Sequence, residues 1–145
     1  MIFGDAVFGN PSPVKTLNIL PDVTNIAASQ FNSSAQGREW TAELTALSLP
    51  TSLQEIGDGA FYQCTGILSN IDFSGMSGLT TIEQSAFWNT GITGAIVFPT
   101  SLQEIGNNAF YNCPNIISIE FPVGSQLNTI ENGAFGACGN LTELK

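Results

Sequence analysis

The apolar residues of this chain return in one fixed order along most of its length. An isoleucine stands five residues before a phenylalanine at Ile26/Phe31, Ile56/Phe61, Ile82/Phe87, Ile105/Phe110 and Ile130/Phe135. A further apolar residue precedes each isoleucine by nine to eleven positions: Leu17, Leu47, Ile71, Ile96 and Ile119, with Leu144 opening the next unit. Phe8 closes a still earlier copy, and the shortest unit, Phe87 to Phe110, is 23 residues. The segments LPTSLQEIGDGAFYQC (49–64) and FPTSLQEIGNNAFYNC (98–113) are nearly identical. Such a period marks a solenoid, in which no coil buries its apolar face alone and stacked neighbours create the core.

The pattern within a unit predicts its elements. Ile117 to Phe121 alternates apolar and polar before Pro122, which reads as a short strand with Ile119 and Phe121 inward and Ser118 and Glu120 outward. Its equivalents are Leu17/Ile19, Leu47/Leu49, Ile71/Phe73 and Ile96/Phe98. A second apolar pair follows, as in Leu53/Ile56 and Leu102/Ile105. Then Ala60, Phe61 and Cys64 fall at i, i+1 and i+4, the inner face of one helical turn. Gly57 and Gly106 are placed to supply a bend with positive φ.

The pattern L-P-x-S-L-x-x-I-G-x-x-A-F-x-x-C, strongest over 47–144, resembles the BspA-like (TpLRR) class of leucine-rich repeat. The resemblance implies an α/β, β-rich fold: a right-handed leucine-rich-repeat solenoid with parallel strands on one face and short helical turns opposite. Residues 1–145 are expected to form one such solenoid of about six coils, with both ends cut within a repeat. Polar caps are expected on a solenoid, and neither end shows one. The state expected is therefore a monomer or end-to-end association through uncapped ends. The resemblance also implies a surface-exposed or secreted protein that binds other proteins, host matrix components among them, and no enzymatic activity.

Composition narrows the function classes. Hydrophobic residues make up 43% of the 145 positions, enough for an ordered core. Charged residues make up only 10%, against a usual value of roughly 25%. The 12 acids face three bases, Lys15, Arg38 and Lys145, for a net charge of −9. Three scattered bases give no footprint for nucleic acid. Without histidine there is no Ser-His-Asp or Cys-His catalysis and no imidazole metal ligand. No apolar run is long enough for a membrane-spanning helix, and MIFGDAVFGN is not a secretory signal, so membrane insertion is not expected. The low charge follows from the repeat, which gives most positions to inward columns, glycine bends and small strand residues.

Several constellations carry little chemistry. Cys64, Cys113 and Cys138 each lie three residues after the repeat's phenylalanine, which reads as a column of small buried thiols. Rungs about 4.8 Å apart leave a Cys113–Cys138 disulfide conceivable. A zinc site lacks its four ligands. The twelve residues from Asp72 to Glu83 have the length of a calcium loop, yet Met76 and Ser77 occupy positions that need an oxygen ligand and a glycine. Glu55 and Glu104 recur at one repeat position, as a solvated face does. Catalytic residues, cofactors and metals are accordingly not expected.

Three surfaces remain for a protein ligand, with a glycan as the second option. The strand face presents Asn18, Ser48, Asn70, Asp72, Ala95, Val97, Ser118 and Glu120 outward, small side chains that grow more acidic toward the C-terminal half. Plain solvated strand surface is the equal alternative. Tyr62, Trp88 and Tyr111 follow the core phenylalanine in three successive coils, forming either a core shield or a recognition stripe. An insertion between Phe31 and Leu47 holds Arg38 and Trp40, residue types enriched at binding hot spots. Asn32-Ser33-Ser34 and Asn140-Leu141-Thr142 match the glycosylation sequon, which matters only in a eukaryotic secretory setting. The function expected is a protein-interaction module of an extracellular or cell-surface adhesin. The alternative is a structural spacer with no ligand.

Overall fold

Two sets of parallel strands run along the described residues, one built from the predicted strands and broken at Ile71/Phe73, the other from the second apolar pairs. The computed structural model describes residues 16–34 and 43–145. Its strands are β1 (Thr16–Asn18), β2 (Asn25–Ile26), β3 (Ala46–Ser48), β4 (Glu55–Ile56), β5 (Thr81–Ile82), β6 (Gly94–Val97), β7 (Glu104–Ile105), β8 (Ile116–Glu120), β9 (Thr129–Ile130) and β10 (Glu143–Leu144). The longest sheet has the order β2-β4-β5-β7-β9, all parallel, and aligns Ile26, Ile56, Ile82, Ile105 and Ile130 rung on rung. Their spacing predicts a core column, and Ile26, Ile56, Ile82 and Ile105 are buried in one; the sheet they form is not predicted by it. Each strand is only two residues long because the chain turns immediately: Gly57 donates to Ile26 O at 2.9 Å, and Ala60 then closes a turn onto Gly57 O at 3.1 Å.

The predicted strand face forms two separate sheets, β1-β3 and β6-β8-β10. The expected strand at Ile71/Phe73 is absent, although both side chains are buried in register with their columns. Asn70 and Asp72 are poor strand residues, and Asp72 Oδ1 takes the N–H of Ser74 at 2.8 Å, an Asx turn that competes with ladder pairing. The two sheets are tied through this coil at their head, by Leu68 N–H to Thr45 O and Thr93 N–H to Ser69 O, each 3.2 Å. Between β6 and β8 the register slips, Gly94 pairing with Ile116 and Ala95 with Ser118. Ile117 is the extra residue of that bulge.

The expected helical turns are replaced by consecutive β-turns, and the described residues include no α-helix. Positive φ explains the difference. Gly59, Ser85, Asn108 and Gly133, two residues before the core phenylalanine, lie near +53 to +67°, and Gln63, Asn89, Asn112 and Ala137, two residues after it, near +54 to +60°. A left-handed residue every fourth position cannot continue a right-handed helix. It still turns Ala60, Phe61 and Cys64 inward, all fully buried. The freed amides bond from coil to coil, as from Phe61 N–H to Ala86 O (2.8 Å) and Phe87 N–H to Ala109 O (2.7 Å). Gly57 and Gly106 do not have the expected positive φ. They are glycines because the preceding coil is too close: an added Cβ would lie 2.7 Å from Ile26 O and 2.6 Å from Gln84 N respectively.

Between the ladders lies a core of phenylalanine. Phe31, Phe61, Phe87, Phe110 and Phe135 stack with centroids 5.1–5.4 Å apart and planes within 13°. Phe73, Phe98 and Phe121 form a second stack at 5.7 and 5.3 Å. The two stacks meet edge-on, as in Phe73–Phe87 at 6.0 Å and Phe98–Phe110 at 5.8 Å. Both geometries are favourable for aromatic quadrupoles, so one repeat of the sequence yields one increment of stack.

Candidate functional site

The strand face is a field of small outward side chains held by the ladders beneath. Asn18 pairs with Ser48 across β1 and β3, Ala95 with Ser118 and Val97 with Glu120 across β6 and β8. Ala95, Val97 and Ser118 are half-buried, and the others are exposed. Asn70 and Asp72 lie on the unpaired segment, so they share the face without sharing a sheet; Asn70 nonetheless rests against Gly94, whose added Cβ would meet its Cγ at 3.7 Å. The Ser74 hydroxyl, then its amide, hold the Asp72 carboxyl below its ordinary range, keeping it ionised. At the far end Lys145 pairs with Glu143 at 2.8 Å, and the pair lowers the Glu143 pKa and raises that of Lys145 by mutual hydrogen bonding and attraction.

The aromatic column is a second surface. The rings of Tyr62 and Trp88 lie 5.3 Å apart and those of Trp88 and Tyr111 5.1 Å apart, both pairs tilted by 54°. All three side chains are half-buried. Tyr111 lies across Gly136 of the next coil, where an added Cβ would stand 2.7 Å from its Cδ2. Each ring therefore covers its neighbour while an edge remains in solvent. Asn112 Nδ2 donates to Asn89 Oδ1 at 2.8 Å beside the column, extending the order of the coils outward. Arg38 and Trp40 lie outside the described residues.

The cysteines belong to the core and not to a reactive centre. All three are free. Cys64 and Cys113 are fully buried, and Cys138 is half-buried. Each thiol donates to a core phenylalanine carbonyl of a preceding coil: Cys64 to Phe31 O (3.1 Å), Cys113 to Phe87 O (3.1 Å) and Cys138 to Phe110 O (3.2 Å). Burial pushes the Cys113 thiol up to about 11, opposed by hydrogen bonding to Thr90, and raises Cys138 as well. Neither thiol is prepared for nucleophilic chemistry.

Three residues of this face were not singled out from sequence. Leu68 and Ile117 are 60% and 51% exposed, at the same repeat position, with Thr93 on the rung between them. Their signal was the dipeptides Ile67-Leu68 and Ile116-Ile117, in which only the first residue can enter the core column. Leu68 reaches over Gly91, where an added Cβ would meet its Cδ2 at 2.9 Å and the carbonyls of Thr65 and Ile67 at 2.6 Å.

Comparison with known proteins places this architecture. The family model for the BspA type leucine-rich repeat region matches residues 38–145 in six copies. The crystal structure of a leucine-rich repeat protein of T. pallidum superposes with a TM-score of 0.69 at 24% identity, covering 90% of this chain and 68% of that one. A leucine-rich cell surface protein from Faecalibacterium prausnitzii superposes with a TM-score of 0.50 at 16% identity, over 90% of this chain and 31% of that one. A leucine-rich repeat protein from Bacteroides ovatus has 24% identity and a TM-score of 0.48, covering 90% of this chain and 42% of that one. No curated protein matches by sequence.

Proposed function

This chain belongs to the BspA-type leucine-rich repeat family, and from that premise we propose that it is a non-enzymatic protein-interaction module of a cell-surface or secreted adhesin. The observation that carries the reading is the strand face. Asn18 pairs with Ser48, and Ala95 and Val97 pair with Ser118 and Glu120, with no bulky side chain among them. Such a surface lets a partner's chain approach closely, and repeat proteins use extended faces of this kind for binding. The surface setting is supported by the family and by the fold shared with the Faecalibacterium leucine-rich cell surface protein.

The test is surface plasmon resonance of the purified chain against a panel of extracellular matrix proteins, with glycans in parallel. Saturable binding to one protein, lost on Val97→Arg in a folded variant, is the expected result. A folded chain that binds no protein of the panel would instead support a spacer that holds another domain away from a surface. A Tyr62→Ala/Trp88→Ala/Tyr111→Ala variant that folds yet loses the ligand would move the site to the aromatic column.

A further inference from the structure

Leu68 and Ile117 are exposed where the solenoid could have covered or replaced them. Of the other large exposed apolar residues described, Leu20 precedes a turn, Val123 lies within one, and Ile130 and Leu144 lie in β9 and β10, each the last strand of its sheet. Leu68 and Ile117 have coils on both sides, and their exposure is built in. Ile117 is the bulged residue of β8, left without a partner opposite β6 and turned to solvent. Leu68 is held outward across Gly91, a position where any side chain would strike backbone. Thr93 lies between them, and Ala95 and Val97 continue the apolar surface along β6.

We propose that Leu68, Thr93 and Ile117 are the anchor of the protein-binding face, and that the partner is a basic polypeptide segment bearing two apolar side chains about 10 Å apart, two rungs of the ladder. This deepens the protein-interaction reading and rests on it. Charge selects the partner. Glu120 pairs with Val97 across β6 and β8, and Asp72 stands at the equivalent repeat position of the coil before, both exposed. The one ion pair among the described residues is Lys145–Glu143, at the far end of the face. A lysine or arginine beside the apolar contact would meet both exposed carboxylates, Asp72 keeping its bond from the Ser74 amide. A second copy of this chain is the wrong occupant, because each carries a net charge of −9 and would set acid against acid.

The probe is a phage-displayed library of random 12-residue peptides selected on the immobilised chain, with recovered sequences resynthesised for fluorescence polarisation. The expected peptides are rich in lysine or arginine and in branched apolar residues. Their affinity falls at least tenfold for Leu68→Ser/Ile117→Ser, about threefold for Asp72→Asn/Glu120→Gln, and further with added salt. If the serine variant does not fold, Thr93→Lys, which sets a positive charge between the anchors, reports the same loss. Peptides that bind all these variants equally would overturn the inference while leaving the interaction function standing. A library that yields no peptide overturns both. A dimer in sedimentation equilibrium that the serine variant dissolves would identify the occupant as a second copy, and so overturn the assignment of a basic partner.

Discussion

The Cys113 thiol donates to the carbonyl of Phe87 in the coil before it, 3.1 Å away, and Thr90 of that coil closes the arrangement at 3.2 Å from the sulfur. The same bond recurs from Cys64 to Phe31 and from Cys138 to Phe110. Cysteine suits this column because it is small enough for the core and carries a donor for the carbonyl that the turn beside the phenylalanine points inward. Cysteine holds the position in three coils, and serine and threonine, Ser34 and Thr90, hold it in two others.

Replacing Cys113 by alanine should therefore cost about 1–3 kcal/mol, the usual penalty for a buried acceptor left unpaired. Cys113→Thr should cost less. The pH dependence has a definite sign. The folded thiol titrates near 11, above its unfolded value of about 9, so its contribution is complete below pH 9 and is lost as pH rises toward 11. Urea denaturation at pH 7, 9 and 10.5 should show wild-type stability falling across that window and Cys113→Thr falling less. In the native state, a thiol reagent should reach Cys138 and spare Cys64 and Cys113.

The columns could be read from sequence because they are periodic. Ile26 to Ile130 and Phe31 to Phe135 announce themselves by spacing, and burial follows from stacking up to Ile105 and Phe110, while Ile130 is exposed and Phe135 half-buried. The longest sheet could not, because two-residue strands such as Glu55–Ile56 show no alternation and pair only between coils. Ala60, Phe61 and Cys64 have a spacing that a helical turn and a run of β-turns share. Asparagine at 89, 108 and 112 hinted at left-handed backbone, whereas Gln63, Ser85 and Ala137 gave no hint. The strand face was legible as a row, and the exposure of Ile117 was hidden in a bulge whose register only the partner strand defines.

The two glycines misread as bends give a sharp contrast. An added methyl at Gly106 would stand 2.6 Å from Gln84 N and 2.7 Å from Glu83 C, backbone atoms that can move only if two coils part. Gly106→Ala and Gly57→Ala should each cost about 2–3 kcal/mol. Gly75→Ala, whose nearest contact is Thr51 Cγ2 at 3.6 Å, should stay within about 0.5 kcal/mol of wild type. Equal melting temperatures for all three variants would refute the close-approach account.

Next to each of those glycines, a glutamate reaches back from the following coil. Glu83 Oε2 accepts the N–H of Asp58 at 2.9 Å, and Glu131 Oε2 accepts that of Asn107 at 2.8 Å. These bonds fasten the corner where the second ladder gives way to the turns. Glu83→Ala should cost about 1 kcal/mol, and Glu83→Gln about half of that, since its carbonyl oxygen can still accept. Hydrogen exchange at the Asp58 amide should accelerate in the alanine variant while the Asn107 amide is unchanged.

Along the second ladder, carboxylates alternate with threonine. Glu55 pairs with Thr81, Thr81 with Glu104 and Glu104 with Thr129, so no two glutamates on this row occupy adjacent rungs. At a rung spacing of about 4.8 Å, like charges would repel by roughly 1 kcal/mol even in water. Thr81→Glu would place three carboxylates in a line and should destabilise the chain by about 1 kcal/mol, less in 0.5 M salt as screening shortens. Thr81→Lys would put a cation between Glu55 and Glu104 and should stabilise by about 0.2–1 kcal/mol, the range of favourable cross-strand pairs. Opposite shifts in melting temperature, both shrinking with salt, are the result expected. Equal losses in both variants would mean that threonine is kept there for β-sheet packing, and that the alternation of charge has no electrostatic role.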